Sequence, residues 1–542
     1  MQRWHQFYPE NVSKEIDIPS MHLYQILERS EKDYPKQIAV MDKEKQWDYQ
    51  ELKKKVDKLA TALHHLGFEK GDRLAVMFPN SAEYIVTYFA VQRLGGIVVQ
   101  VNPMYQLGEL EHLLENSRAQ WFAGSYKQRE KLQELPFCIN MKAIYYTTSD
   151  VQLSDKEYDL YQLINDAQSI QLPEIEIEPK ADIAVLQYTG GTTGRSKGVM
   201  LTHFNLIANI YQTFVFADGY FERPGERVLS VSPFFHVYGM TSAMNVAIFA
   251  AATIICLERF HVEKTLELMK TYKPTVFPGV PTMYIALLNH PKSSPEFLQS
   301  IKICNSGSAP MPVELIKEFE EKTGALIVEG YGLSESAPVT HRNPVTGVKK
   351  AGSIGIPIPN TESKIVDQET GEKELPVGEV GELIVKGPQV MKGYWNNEEE
   401  TAKTIRDGWL YTGDLATMDE DGYFYIVGRK KDMIIAGGYN IYPVEIEDIL
   451  YQHPAIEELC VFGVPDPYRG ETVKAVIVSK KGVDITAEDL SQWCSNHMAR
   501  YKIPKEFSFR DELPKTTVGK ILRRKLIDEE IAKAKQMEKK EV

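Results

Sequence analysis

A glycine-rich stretch built around one lysine is the part of the sequence best suited to chemistry. Residues 188–199 read YTGGTTGRSKGV. Glycine loses more backbone freedom on folding than any other residue, so such a cluster indicates a backbone that comes close to a ligand. Its N–H groups, the hydroxyls of Thr192 and Thr193 and the ammonium of Lys197 suit an anion, most obviously phosphate. An ordinary flexible surface loop is the alternative interpretation.

The spacing of these glycines excludes two common phosphate-binding loops. A Walker A loop needs G-x-x-x-x-G-K-[ST], and a dinucleotide fingerprint needs G-x-G-x-x-G. Neither pattern occurs within residues 188–199. We therefore expect a different class of phosphate-binding loop.

Two carboxylates lie in other segments that suit polar ligands. Glu335 follows the tyrosine of GYGLSES just past a predicted strand, where one carboxylate could hold Mg²⁺ with water and other oxygens. Tyr331, between two glycines, could stack on a flat ring. Asp414 lies in YTGD, a predicted turn, and suits the hydroxyls of a ribose. Taken singly, Glu335 and Asp414 are more often turn or cap residues.

Two cations complete the set of candidate residues. Arg429 begins the run RKKDMIIAGGYNIYPVEIE and could contact the same ligand as Asp414. Lys520 follows a glycine in PKTTVGKILRR, which is predicted as an exposed turn. By itself, Lys520 is more often a solvated charge.

The composition is that of a globular chain with several structural units. At 542 residues the chain exceeds the size of about 250–300 residues at which a single core stops growing. A net charge of −13 argues against a nucleic-acid partner bound through a basic surface. Five scattered cysteines without C-x-x-C spacing fit a reducing cytosol and provide no zinc site. The apolar run over 243–257 contains Asn245 and is too short for a membrane span, so we expect a buried helix followed by a buried strand.

Alternating apolar runs and amphipathic stretches over the first 350 residues predict strands that alternate with helices. One clear case is a helix over 80–95, capped by Asn80 or Ser81, between two strands. Residues 275–332 repeat the order strand, helix, strand, helix, strand. This order predicts an α/β fold with layered, mostly parallel sheets and helices on their faces. Ligands of such folds lie beyond the carboxyl ends of the strands.

The second half of the sequence changes character twice. Glycine-punctuated short strands predict a β-rich subdomain over about 350–428. Further strands and a capped helix over 486–497 predict a small α+β domain at the C-terminus. We place the large N-terminal domain at 1–429 and the small domain at 430–542. Residues after Arg523 are expected to form a charged, solvated tail.

Together and in this order, these segments resemble the adenylate-forming enzyme superfamily of acyl-CoA synthetases, peptide-synthetase adenylation domains and beetle luciferases. The resemblance covers about residues 20 to 526, and it is greatest to bacterial long-chain fatty acid–CoA ligases. It implies ATP-dependent activation of a fatty acid to acyl-AMP with release of pyrophosphate, followed by thioester formation with CoA. The implied cofactors and co-substrates are Mg²⁺, ATP and CoA. The small domain is expected to be mobile and to rotate between the two half-reactions.

The resemblance also assigns a role to individual residues. The expected ATP-binding residues are Thr189, Gly190, Gly191, Thr192, Thr193, Gly194, Lys197, Gly307, Ser308, Ala309, Gly330, Tyr331, Gly332, Ser334, Asp414, Arg429 and Lys520. The expected catalytic residues are Lys520, Lys197, Thr192 and His236, and the expected magnesium ligands are Glu335 and Thr192. The acyl group is expected against His236, Val237, Tyr238, Gly239, Gly307 and Gly332, CoA against Gly437, Gly438 and Tyr439, and the hinge at Lys431.

The chain departs from the family's commonest wording at two of these positions. Gly190 stands where most members have serine, so one hydroxyl contact to phosphate is expected to be missing. Ser334 stands where most members have threonine. The hydroxyl is kept there, so we expect little change.

The segment around His236 indicates the kind of acid. Residues 232–240 read SPFFHVYGM, and the family uses this histidine as a gate beside the carboxylate. Without the resemblance, a core histidine would be the better interpretation. No acidic residue lies in 227–256 to meet the ammonium of an amino acid, which favours an apolar acid.

Several alternatives stay open at this point. An aromatic or medium-chain acid, or transfer of the acyl group to a carrier protein, would use the same machinery. A non-enzymatic nucleotide sensor is disfavoured, because the expected catalytic residues are all present in the sequence. We expect a cytoplasmic protein, since no apolar secretory segment is visible. Peripheral contact with the inner face of a membrane and a homodimer both stay open.

Overall fold

The structure is a computed structural model, and its description covers most of the chain. The described residues are 2–148, 151–167, 172–189, 196–307, 311, 313–436, 439–466, 468–516 and 519–538. Within these residues the strands form four sheets.

The first part of the chain alternates helices with strands. Its elements are α1 (Tyr24–Asp33), β1 (Ile38–Asp42), β2 (Lys45–Asp48), α2 (Tyr49–His65), β3 (Arg73–Met77), α3 (Ala82–Arg93), β4 (Ile97–Gln100), α4 (Leu107–Ser117), β5 (Trp121–Ser125), α5 (Arg129–Gln133), β6 (Lys142–Tyr146), β7 (Glu157–Asp159) and α6 (Leu160–Asp166).

The middle part continues this alternation around a π-helix. Its elements are β8 (Ile183–Thr189), β9 (Lys197–Thr202), α7 (His203–Val215), β10 (Arg227–Ser230), the π-helix (Gly239–Asn245), α8 (Val246–Phe249), β11 (Thr253–Cys256), α9 (Val262–Tyr272), β12 (Val276–Gly279), α10 (Pro281–Asn289), α11 (Pro295–Leu298), β13 (Ile303–Ser306), α12 (Val313–Thr323), β14 (Leu326–Gly332) and β15 (Val339–Arg342).

The last part is richer in strands. Its elements are β16 (Ile356–Pro357), β17 (Glu362–Val366), β18 (Gly381–Lys386), β19 (Gly393–Tyr394), α13 (Glu398–Thr404), β20 (Ile405–Arg406), β21 (Trp409–Met418), β22 (Phe424–Arg429), β23 (Ile434–Ala436), β24 (Tyr439–Ile441), α14 (Pro443–Tyr451), β25 (Ile456–Asp466), β26 (Gly470–Ser479), α15 (Ala487–His497), β27 (Glu506–Phe509) and α16 (Arg523–Glu538).

Two large sheets carry the first two parts of the chain. One has the strand order β16-β15-β14-β13-β12-β10-β11-β1-β2, and the other has the order β19-β9-β8-β4-β3-β5-β6-β7. Strands β3 to β8 of the second sheet are parallel, and so are β10 to β14 of the first. The predicted α/β class with mostly parallel sheets is confirmed.

Two smaller sheets follow. Strands β17, β18, β20, β21 and β22 form an antiparallel sheet, which is the expected β-rich subdomain. Strands β23 to β27 form the last sheet, with α14, α15 and α16 beside it. This last sheet with its helices is the expected small α+β unit. The domain boundaries that we placed at 429 and 430 stay predictions.

Local signals in the sequence account for several helix ends. Helix α3 begins after Ser81, whose hydroxyl accepts a hydrogen bond from the Tyr84 N–H at 3.2 Å. Asn80 instead donates to the carbonyls of Ser230 and Ser232. Helix α15 begins after Thr486 with a capping box, as predicted.

The apolar run over 243–257 is buried, as expected from its length. It completes the π-helix, forms α8 and ends in β11, and the side chains of these elements lie in the core. Among the described residues, no helix combines the length and the apolar character that crossing a bilayer requires.

The prediction of a solvated tail after Arg523 is wrong for the described residues. The chain forms α16, whose Leu526 is fully buried against residues of β25 and β26. Arg523 pairs with Asp432 at 3.0 Å and with Glu447 at 2.7 Å. Burial of Leu526 and several ion pairs, including Glu530 with Lys474 at 2.6 Å, therefore fix a segment that looks fully solvated in composition.

Candidate active site

A cavity of about 680 Å³ lies where the large sheet, the β-rich sheet and the C-terminal part of the chain meet. Many predicted site residues from all three parts line it: Thr189, Lys197, His236, Val237, Tyr238, Gly307, Gly330, Tyr331, Gly332, Ser334, Glu335, Arg429, Lys431 and Lys520. Residues that are more than 300 positions apart in the sequence thus face one space.

Some predicted residues lie outside the described part of the chain. These are Gly190, Gly191, Thr192, Thr193 and Gly194 of the glycine-rich loop, Ser308 and Ala309, and Gly437 and Gly438. The strands that flank the glycine-rich loop are described: β8 and β9 are antiparallel, with Thr189 opposite Lys197. Tyr439 begins β24.

Gly239 is not among the residues that line the cavity, although we expected it against the acyl group. A Cβ atom at Gly239 would lie 2.1 Å from the carbonyl oxygen of Pro233. Glycine is therefore needed here for the close approach of the π-helix to the preceding loop.

Asp414 is not among the residues that line the cavity, but it is held by two that are, Tyr331 and Arg429. Its Oδ2 accepts a hydrogen bond from the Tyr331 hydroxyl at 2.5 Å, and its Oδ1 lies 2.6 Å from Nε of Arg429. The three residues come from β14, β21 and β22, and Asp414 and Arg429 are direct neighbours across the ladder. Burial, and then the Asp414 charge, raise the pKa of the Tyr331 hydroxyl. The prediction that Asp414 lies in a turn is wrong, because it lies inside β21.

Glu335 lies in a short 3₁₀ turn just past β14, as predicted. Its Oε1 accepts a hydrogen bond from the Tyr394 hydroxyl at 2.8 Å. The ammonium of Lys197 lies over the Tyr394 ring, 5.2 Å from its centroid, and pairs with Glu400. Two carboxylates and one ammonium therefore surround one tyrosine.

These groups suit a magnesium ion that is bound by few protein ligands. Among the residues that the structure describes, no group of three or more histidine, cysteine or acidic side chains is arranged so that it could hold a metal ion. Mg²⁺ keeps several waters and binds through one or two carboxylates together with substrate phosphates. Glu335 fits that pattern, because its carboxylate lines the cavity, whereas the cavity carboxylates of Glu382 and Glu400 pair with Lys430 and Lys197.

His236 faces the cavity as a neutral imidazole. Its Nδ1 accepts a hydrogen bond from the backbone N–H of Tyr238 at 3.3 Å. Burial, and then the positive charge of Lys520, lower the pKa of His236 to about 4. At neutral pH the ring therefore presents Nε2 without a positive charge.

The turn that carries Lys520 touches the large domain. Gly519 has φ +79°, and a Cβ atom there would lie 2.7 Å from Oγ1 of Thr282 at the start of α10. Burial of the ammonium, and then the charge of Arg429, lower the pKa of Lys520. The C-terminal part of the chain thus brings a cation to the cavity beside His236 and Arg429.

Lys431 lies between the β-rich sheet and the C-terminal sheet, just after β22. Burial, and then the charge of Arg429, lower its pKa to about 8. Its neighbour Lys430 pairs with Glu382 at 3.0 Å. Lys431 therefore has the position that a hinge between the two sheets needs, and its role as a hinge stays a prediction.

Sequence reasoning missed several residues of the cavity wall. Tyr394, Glu400, Thr412 and Arg342 line it beside the predicted residues. The run NNEEET gave only a weak signal for Glu400. Acidic residues are common in the first turn of a helix, where they interact favourably with the helix dipole. Arg342 gave no clear signal either, because it is the last residue of the short and mostly polar strand β15.

Comparison with known proteins agrees with this arrangement. The AMP-binding enzyme family matches residues 27–395, and the AMP-binding enzyme C-terminal domain matches residues 445–520. A protein from Bacillus subtilis (strain 168) named long-chain-fatty-acid–CoA ligase is 46% identical over 553 residues, covering 97% of this chain and 98% of that protein.

Solved structures of two further proteins share the fold. The ATP-bound MatB protein from Rhodopseudomonas palustris has a TM-score of 0.86 and 33% identity, covering 94% of this chain and 99% of that one. The anthranilate CoA ligase AuaEII in complex with anthranoyl-AMP has a TM-score of 0.87 and 27% identity, covering 96% and 99%.

Proposed function

The chain belongs to the AMP-binding enzyme family, and from this premise we propose that it is an ATP-dependent long-chain fatty acid–CoA ligase. In the first half-reaction a fatty acid and ATP give acyl-AMP and pyrophosphate. In the second, the thiol of CoA displaces AMP and gives acyl-CoA. One observation carries the proposal: Lys520, from the C-terminal part of the chain, lines the same cavity as His236, Tyr331 and Arg429.

The first half-reaction brings two anions together, so catalysis is chiefly neutralisation of charge and alignment. The acid's carboxylate attacks the α-phosphate of ATP, and pyrophosphate leaves. We assign Lys520 to the reacting carboxylate and α-phosphate, and Lys197 to the outer phosphates beside the glycine-rich loop. Both ammonium groups line the cavity, which supports this assignment.

We assign the nucleoside to the wall formed by Tyr331, Asp414 and Arg429. The carboxylate of Asp414 is held from two sides, so its remaining lone pairs have fixed directions. A fixed carboxylate suits the two neighbouring hydroxyls of a ribose. The Tyr331 ring and the backbone of Gly330 and Gly307 offer a flat surface for the adenine.

Glu335 is our candidate for the protein ligand of Mg²⁺. When bound, the ion would neutralise phosphate charge and orient the triphosphate. The Tyr394 hydroxyl donates to Glu335 and would keep its carboxylate oriented. Thr192, the second predicted ligand, lies outside the described residues.

The second half-reaction needs different neighbours around the same acyl carbon. We propose that the C-terminal domain rotates about Lys431 and exchanges the Lys520 turn for the segment that contains Gly437, Gly438 and Tyr439. A free thiol has a pKa of about 8.5, so a minor thiolate fraction is present at neutral pH. The activated acyl group makes that fraction sufficient.

The wall of the cavity favours an apolar acyl chain. Val237, Val328 and Leu333 line it, and each methylene that becomes buried contributes about 0.8 kcal/mol, or about fourfold in binding. We expect kcat/KM to rise with chain length into the long-chain range until the cavity is filled. Equal activity with benzoate-type acids would favour the aromatic alternative.

AMP release with a panel of acids tests the proposal. Saturated acids of graded length, benzoate and an amino acid are each supplied with ATP and Mg²⁺, with and without CoA. The proposal predicts that long-chain acids give AMP and acyl-CoA, and that turnover depends on CoA. Acyl transfer only to a carrier protein, with CoA inactive, would show that the second half-reaction is assigned to the wrong acceptor.

A further inference from the structure

Arg342, at the end of β15, is an almost completely buried cation in the wall of the cavity. It keeps only 5% of its surface exposed and is among the residues that line the cavity. Its Nη2 donates to Oδ1 of Asn305 at 2.7 Å. Among the described residues, Arg342 makes no ion pair with a carboxylate. Burying a charge without a partner is costly, so such a group indicates a ligand that supplies the missing charge.

The sheet register shows which side of the cavity Arg342 occupies. Arg342 is opposite Gly330 across the antiparallel pair β14–β15, so the two residues share a face. Because Gly330 has no side chain, the guanidinium can cross β14 to reach Asn305 on β13. Val328, two positions from Gly330, lies on the same face of β14 and packs in the core with residues of the π-helix.

The nucleoside wall belongs to the opposite face of β14. Tyr331 and His341 are paired one position away from Gly330 and Arg342, and their rings pack toward Phe424 of the β-rich sheet. Tyr331 donates to Asp414 on that side. Arg342 therefore faces away from the proposed ribose site and toward the π-helix.

One neighbour of Arg342 on this inner side is a residue assigned to the acyl chain. Tyr238 lines the cavity and donates to the backbone carbonyl of Asn305, the residue that Arg342 contacts, at 2.6 Å. Thr213 also lines the cavity, and its buried hydroxyl has no hydrogen-bond partner among the described residues. Burial lowers the pKa of Arg342 to about 10, so the side chain stays charged at neutral pH.

We propose that Arg342 binds a second carboxylate carried by the acyl substrate, so that the protein activates α,ω-dicarboxylic acids in addition to plain fatty acids. This inference rests on the proposed function, because it assigns the inner side of the cavity to the acyl chain. A guanidinium has five N–H donors, and Asn305 accepts from only one nitrogen. The remaining donors match the two oxygens of a carboxylate.

The experiment compares matched pairs of acids. Octanoic to hexadecanoic acids and the dicarboxylic acids of the same length are supplied with ATP, Mg²⁺ and CoA, and kcat/KM is measured for each. The readout is the ratio of kcat/KM for the diacid to that for the monoacid. This ratio is insensitive to a general structural defect, because such a defect lowers both values.

Three variants separate recognition from structure. Arg342→Met removes the charge and keeps an unbranched chain, and we expect the ratio to fall by about tenfold to a hundredfold at the diacid length that the unmodified protein uses best. Asn305→Asp places a carboxylate beside the guanidinium without removing bulk, and we expect the ratio to fall here too. Arg500→Met, at an exposed arginine remote from the cavity lining, is the control and should keep the ratio unchanged.

Two results would overturn the inference. One is an unmodified protein that uses no diacid at any length while it activates the monoacids. The other is a ratio that stays the same in Arg342→Met and Asn305→Asp. If the unmodified protein forms acyl-CoA from neither kind of acid, the proposed function itself is wrong, and this outcome is distinct from both.

Discussion

Replacing Asp414 tests the nucleoside wall most sharply, because the structure gives both of its contacts. The residue keeps 3% of its surface exposed, accepts from Tyr331 at 2.5 Å and pairs with Arg429 at 2.6 Å. In Asp414→Ala the partly buried Tyr331 hydroxyl loses its acceptor, which lowers the free energy of unfolding by at most about 1–3 kcal/mol. The lost ion pair with Arg429 adds little to this cost, since more than a third of the Arg429 side chain is exposed and water can replace the lost partner.

The effect on catalysis is expected to exceed the effect on folding. A carboxylate that accepts hydrogen bonds from ribose hydroxyls contributes about 1.5–3 kcal/mol per bond, so its loss raises KM for ATP by about tenfold or more. Tyr331→Phe is the matched control: it removes the same hydroxyl–carboxylate hydrogen bond and leaves the carboxylate in place. We expect a rise in KM for ATP of less than about fivefold in Tyr331→Phe.

The assay measures pyrophosphate release against ATP concentration, together with unfolding by urea. If Asp414→Ala and Tyr331→Phe raised KM for ATP equally, the hydroxyl–carboxylate contact would be structural and the ribose assignment would be wrong. An unchanged KM in Asp414→Ala would refute the reasoning in the same way.

Three further predictions concern the cations, the metal and the buried histidines. Lys520→Ala should lower adenylation by about 10²–10³ and nearly spare thioester formation from supplied acyl-AMP, whereas Lys431→Pro should spare adenylation and suppress transfer to CoA. Equal loss of both half-reactions in both variants would mean that there is one fixed site. Glu335→Gln should raise the Mg²⁺ concentration needed for half-maximal pyrophosphate release, and an unchanged requirement would make Glu335 a turn residue. Burial lowers the pKa of His203 and of His341 to about 3, so these rings stay neutral while unfolded histidines gain protons below about pH 6.5. The free energy of unfolding should therefore fall as the pH falls from about 6.5 toward about 3, and a flat profile from urea titrations between about pH 7.5 and about 5.5 would contradict this.

The parallel sheets and capped helices were predictable because their signals are local. Ser81 and Thr486 are good N-cap residues placed directly before amphipathic stretches, and both begin helices in the structure. The apolar run over 243–257 could be assigned to the core from its length alone. Periodicity and capping depend on residues that are close in sequence, so they can be recognised without knowing the fold.

The errors concern contacts that local sequence does not show. Asp414 follows Gly413, whose φ is +70°, so the segment YTGD has turn character, although β21 runs through it and Asp414 pairs with Arg429 of β22. The tail after Arg523 is mostly charged, and only its packing on the last sheet gives Leu526 a core position. A charged composition therefore hid a docked helix.

The inner wall of the cavity could be predicted only in part. The aromatic segment around His236 pointed to it, but the position of Arg342 depends on Gly330 lying across the strand pair. A lone arginine in a strand does not by itself show on which face of the sheet its side chain lies. The register between β14 and β15 shows which face Arg342 shares with Gly330, and this register depends on the pairing of the whole sheet.

Isotope transfer from the acid to AMP tests the central claim of an acyl-adenylate most directly. A fatty acid labelled with ¹⁸O in both carboxylate oxygens is turned over with ATP, Mg²⁺ and CoA, and the products are analysed by mass spectrometry. Attack of the carboxylate on the α-phosphate leaves one labelled oxygen in each AMP and none in pyrophosphate. AMP without label, or label in pyrophosphate or inorganic phosphate, would contradict the account.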